Sequence, residues 1–152
     1  MFNELALSTV MTLIAVSIHG VGLLGLGRGL ELYEIRAGRS YTEGPLWRHV
    51  LLTIAVVLGL FVIHGIEIWL YAALYTVIGA VADLREAVYF SSISYGAIGY
   101  SDNLMAPEWR LLGAIEGVTG AILLGWSVAF FVSVMTPFTA RRKQPPLPRD
   151  PS

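Results

Sequence analysis

Ser94-Tyr95-Gly96-Ala97-Ile98-Gly99-Tyr100-Ser101-Asp102 is a polar run rich in glycine and tyrosine, set between two long apolar segments. The upstream segment, residues 50–78, contains no Asp, Glu, Lys or Arg except Glu67, and the downstream one, 111–138, none except Glu116. A bilayer core of about 30 Å is crossed by about 20 predominantly apolar helical residues, so each flank is long enough to span. Residues 79–110 are too few and too polar for another span. They suffice for a half-helix that enters and a loop that returns, an arrangement allowed at membrane depth only where protein or a water-filled cavity satisfies the backbone.

Composition agrees that these segments belong in a membrane. The 152-residue chain is 55% hydrophobic and 14% charged, against about 25% charged in an ordinary soluble domain. A third apolar segment, residues 5–30, comes first in the chain. Met1-Phe2-Asn3-Glu4 carries no basic residue, so this segment lacks the positive start of a secretory signal and reads as a retained helix. A net charge of −1 gives no footprint for nucleic acid, and the absence of cysteine excludes disulfides and thiolate chemistry. The expected fold is all-α and integral to the membrane: three transmembrane helices and a re-entrant helix with its loop.

Basic residues set the orientation. Arg28, Arg36, Arg39 and Arg48 follow the first span, and Arg141, Arg142, Lys143 and Arg149 follow the last. The other side has Arg85 and Arg110 against Glu4, Asp83, Glu86, Asp102 and Glu108. The positive-inside rule then puts the N-terminus outside and the C-terminus in the cytoplasm, with the Gly-Tyr loop facing out. Asp83-Leu84-Arg85-Glu86 is an acidic capping box and predicts a helix over about 83–94, its C-terminal carbonyls directed at the loop that follows.

Ala97-Ile98-Gly99-Tyr100-Ser101-Asp102 resembles the Thr-Val-Gly-Tyr-Gly-Asp selectivity filter of potassium channels. The resemblance extends over outer helix (about 50–78), pore helix (83–94), filter (97–102) and inner helix (111–138), a pore domain of residues 48–138. It implies a homotetramer in a bacterial inner membrane. Backbone carbonyls of Ala97, Ile98, Gly99 and Tyr100 would hold K+ or another monovalent cation there. No other cofactor, no small-molecule substrate and no enzymatic activity are expected. Two positions depart from the pattern. Ala97 lacks the hydroxyl that completes the innermost site, and Ser101 replaces a glycine whose positive φ costs a serine roughly 1 kcal/mol or more. Weakened discrimination between K+ and Na+ is the consequence. Asp102 retains the acidic mouth, and Gly117 and Gly120 are, by the same resemblance, candidate gating hinges.

Residues 1–47 add a first helix and a cytoplasmic connection, as in small bacterial channel proteins with one extra helix before the pore unit. Gly20, Gly22, Gly25, Gly27 and Gly29 suit close packing there. Gly113, Gly117, Ala121 and Gly125 form a small-residue stripe on the last span. Residues 139–152, basic and proline-rich, are expected to be disordered. His19, His64, Glu67 and Glu116 lie inside apolar spans, where ionisable groups are costly and need partners. Glu116 or Glu67, with His64 near by, is expected behind the filter, bracing Ser91, Ser92 or Ser94. The same four residues could instead bind zinc or iron. The alternative reading is accordingly a non-conducting membrane scaffold or a metal-binding membrane protein.

Overall fold

A computed structural model describes residues 2–38, 40, 44–99 and 103–141. Of the tail expected to be disordered, residues 139–141 instead continue the last helix and 142–152 lie outside the described residues, as do Tyr100, Ser101 and Asp102. Among the described residues there is no strand. The helices are α1 (Phe2–Ala37), α2 (Leu46–Val77), α3 (Leu84–Tyr95) and α4 (Arg110–Arg141), with a 3-10 turn, Pro107–Trp109, leading into the last. Three of these segments, Phe2–Ala37, Leu46–Val77 and Pro107–Pro137, are long and apolar enough to cross a membrane. At about 1.5 Å per residue they exceed the bilayer core, which calls for tilt or extension past the surface.

Each long helix buries one stripe and leaves apolar side chains outside. On α1 the buried positions are Ser8, Met11, Ala15, His19 and Leu23, steps of three and four that share one face. That face meets α2 and α4. Leu24, Phe61, Val118 and Ile122 stay exposed, as side chains that meet acyl chains or another copy would. The core around α3 is aromatic: Tyr71, Tyr75, Phe90 and Tyr95 are buried, and the Tyr75 and Phe90 rings meet edge to face at 5.6 Å.

Local signals explain how the short helix is inserted. After α2, Gly79 takes φ +69° while its N–H donates to the Thr76 carbonyl and that of Ala80 to the Tyr75 carbonyl, a Schellman cap that ends the helix sharply. Asp83 then caps α3 by accepting from the Glu86 N–H at 2.9 Å. Ala106 N–H donates to the Ala80 carbonyl at 2.8 Å, drawing the two ends of the re-entrant segment together.

The glycines of α1 divide. A Cβ on Gly22 would lie 2.6 Å from Ile63, and one on Gly20 would touch Trp126 at 3.4 Å, so these two allow close approach. Gly25, Gly27 and Gly29 have nothing within 4 Å. The packing expected of all five is therefore seen at Gly20 and Gly22, while Gly27 lines an open cleft beside Trp126 and Phe130 of α4.

Candidate functional site

The buried face of α3 consists of Ala87, Phe90, Ser91, Ser94 and Tyr95, and its polar members each bond to a neighbouring helix. Ser94 Oγ donates to the Gly113 carbonyl on α4 at 2.8 Å. Ser91 Oγ lies 3.0 Å from the Ile68 carbonyl on α2 and 2.5 Å from Glu116 Oε1 on α4. Tyr75 O–H donates to Glu116 Oε2 at 2.6 Å. A serine has one hydroxyl hydrogen, and Ile68 can only accept. A protonated Glu116 resolves the arrangement, donating to Ser91 while Ser91 donates to Ile68. Glu116 thus sits against the middle of α3, with both of its carboxyl oxygens bonded.

Glu67 occupies the other end. Tyr95, the last residue of α3, donates its hydroxyl to Glu67 Oε2 and lies 2.9 Å from His64 Nδ1. His64 Nε2 is 2.9 Å from Ser127 Oγ, which is 3.3 Å from His19 Nε2, and His19 Nδ1 is 3.1 Å from Glu67 Oε1. These contacts close a ring through Glu67, Tyr95, His64, Ser127 and His19, with every helix contributing. Five contacts need five hydrogens. Tyr95, Ser127 and two neutral imidazoles supply four, and one further proton on the edge between Glu67 and His19 completes the ring at zero net charge. An uncharged, fully bonded ring is how such groups are tolerated in an apolar medium.

Sequence reasoning groups His19, His64, Glu67 and Glu116 as one ligand set. The fold brings the first three together and keeps Glu116 apart, one helix face away with Ser91 and Tyr75. It also recruits Tyr95 and Ser127, which the sequence does not single out, because a phenol or a hydroxyl on an apolar helix reads as packing. Glu67 accepts from Tyr95 rather than from one of the serines.

Beyond Tyr95 the chain turns at once. Ala97 has φ +53°, its N–H donates to the Ser94 carbonyl, and that of Ile98 donates to the Ile93 carbonyl, a second Schellman cap with alanine where glycine is usual. The sequence points to backbone strain at Ser101, which lies outside the described residues; among those described the left-handed non-glycine residue is Ala97, at a cost of roughly 1–2 kcal/mol. α4 crosses this turn closely. A Cβ on Gly120 would lie 2.2 Å from the Tyr95 carbonyl oxygen, and one on Gly117 3.2 Å from that of Ser94, so both glycines permit backbone approach. The four-residue stripe omits Gly120, the tighter of the two. Gly113, Gly117 and Ala121 instead line an open cleft of about 420 Å³ beside Ser94, Ala97 and Gly99.

The ion channel family model, a two-helix potassium-channel-type domain, matches residues 50–137, from α2 through α3 into α4. No curated protein and no solved structure matches the chain.

Proposed function

The chain belongs to the ion channel family, and from that premise we propose that it conducts monovalent cations as a homotetramer. The membrane is the bacterial inner membrane, with the N-terminus outside and the C-terminus cytoplasmic. The observation that carries this reading is the anchoring of α3: Ser91, Ser94 and Tyr95 fix its last turn between α2 and α4. The segment that follows is thereby launched from a fixed base. Four such segments around an axis would offer carbonyls of Ala97, Ile98, Gly99 and Tyr100 to a dehydrated ion, with Asp102 at the mouth. The cleft beside Ala97 and Gly99 is the face left for an adjoining copy.

The ion is K+, with reduced preference over Na+ because Ala97 adds no hydroxyl and Ser101 is not glycine. Glu116, Glu67 and His64 act as braces of the filter, and Gly117 and Gly120 as points where α4 can bend. Reversal potentials of the reconstituted protein across opposed K+ and Na+ gradients test this. A modest preference for K+ is expected, sharpened by Ala97→Thr with Ser101→Gly. Absence of cation flux from liposomes that contain tetramers would replace the channel by a non-conducting scaffold, and a dimer in detergent would end the fourfold reading.

A further inference from the structure

We propose that His19, His64 and Glu67, with Tyr95 at the fourth corner, form a binding site for a divalent metal ion of the zinc class where α1 meets the pore unit. The ligand atoms of the first three lie within 4.8 Å of one another. His19 Nδ1 is 3.1 Å from Glu67 Oε1, and His64 Nδ1 is 3.4 Å from Glu67 Oε2. Zinc bonds of 2.0–2.1 Å to nitrogen and oxygen make the edge of a coordination tetrahedron about 3.3 Å, so each imidazole already stands one edge length from the carboxylate, at a different oxygen, and a small rotation of Glu67 would offer one oxygen to both. Tyr95 Oη, 2.9 Å from His64 Nδ1 and bonded to Glu67, stands at a fourth vertex.

The outer atoms support the same assignment. Both histidines present Nδ1 to Glu67 and rest Nε2 on one oxygen, Ser127 Oγ, at 2.9 and 3.3 Å. In the metal-free ring His19 already donates its Nε2–H to that hydroxyl and turns an Nδ1 lone pair toward the carboxylate, while His64, whose Nδ1–H is donated to Tyr95, would shift its proton to Nε2 on binding. A metal-bound imidazole has that tautomer, fixed by a hydrogen bond from its other nitrogen. His19 and Glu67 are fully buried, while His64 is 13% exposed at the end of an apolar cleft of about 290 Å³ between α2 and α4. Imidazole and carboxylate donors favour zinc and its neighbours over the hard cations K+, Mg2+ and Ca2+. The site is therefore chemically distinct from the filter.

Binding replaces protons by metal. The uncharged ring holds five hydrogens. With the ion on His19, His64 and Glu67, four remain, on the two Nε2 atoms, Ser127 and Tyr95, and one proton is released per ion. If Tyr95 binds as phenolate, two are released and the centre is again uncharged.

The test reads metal rather than current, and so succeeds or fails independently of conduction. Purified full-length protein in detergent is loaded with zinc, desalted and analysed by plasma emission, and roughly one zinc per chain is expected. His19→Ala and Glu67→Gln should abolish retention. Ser127→Ala, which keeps the ligands but removes their support, should weaken it about 10–100-fold. His49→Ala, a histidine outside the cluster, should retain zinc as the parent does. Cobalt in place of zinc should give intense tetrahedral visible bands in the parent protein, a readout needing no variant, and one or two protons should be released per zinc. No retained zinc, retention unchanged in both His19→Ala and Glu67→Gln, or loss on His49→Ala would overturn the proposal.

Discussion

Two buried carboxyl groups hold the same short helix, and they do so with different company. Glu116, on α4, bonds Tyr75 of α2 and Ser91 of α3. Glu67 bonds Tyr95 at the helix end and His19 on α1, and through the histidines reaches Ser127. The first brace belongs wholly to the segment matched by the family model, residues 50–137. The second cannot be completed without a helix that lies before it. A carboxyl with hydroxyl partners has one task, support. A carboxyl ringed by imidazoles has the donor set of the proposed metal site and a bond to α1 as well.

Removing room at the Tyr95 end should have the largest effect. Gly120→Ala drives a Cβ into a backbone carbonyl that cannot rotate away and should cost about 3 kcal/mol, the upper range for overpacking, read as loss of thermal stability in detergent. Gly125→Ala, with nothing within 4 Å, should be near neutral in the same assay. Glu116→Ala follows. It leaves the Tyr75 hydroxyl without its acceptor and Ser91 with the Ile68 carbonyl alone, and should cost about 2 kcal/mol, most of it recovered by Glu116→Gln, which can still donate to Ser91 and accept from Tyr75.

A double-mutant cycle on thermal stability separates the two braces. His19→Ala with Tyr95→Phe should show a coupling of about 1 kcal/mol, since both sit in one ring, while His19→Ala with Ser91→Ala should be additive within about 0.5 kcal/mol. Coupling of equal size in both pairs would merge the braces into one network. The smallest change is Ala97→Gly, which relieves the left-handed alanine and should raise stability by about 1 kcal/mol. Gly79→Ala, the same swap in reverse at the matching cap of α2, should lower it by a similar amount.

Much of this architecture is legible in the residues, for identifiable reasons. The apolar runs fix three spans because the bilayer sets helix length. Asp83 and Glu86 announce the start of α3 because free amides there need an acceptor. A contact between Glu116 and the serines of α3 requires only that they lie at equal depth. The ring around Glu67 is different, since His19 stands 48 positions away on a helix whose rotation about its own axis no local pattern encodes. Gly120 escapes the spacing rule for a related reason. Its neighbour is the backbone of a crossing helix end, whereas a four-residue stripe describes helices lying side by side.

The polar contacts between α1 and α4 fall on both sides of Gly120: Thr12 against Thr119 at 3.1 Å, and His19 against Ser127 at 3.3 Å. The first helix therefore works as a splint laid across the candidate pivot. Swinging the lower half of α4 outward must either carry this splint along or shear the contact at Ser127. Side-chain hydrogen bonds in a bilayer are worth about 0.6 kcal/mol on average, weak enough singly for thermal release. Repeated in every copy of an assembly, and tightened by an ion seated on His19 and His64, they become a latch whose strength is adjustable.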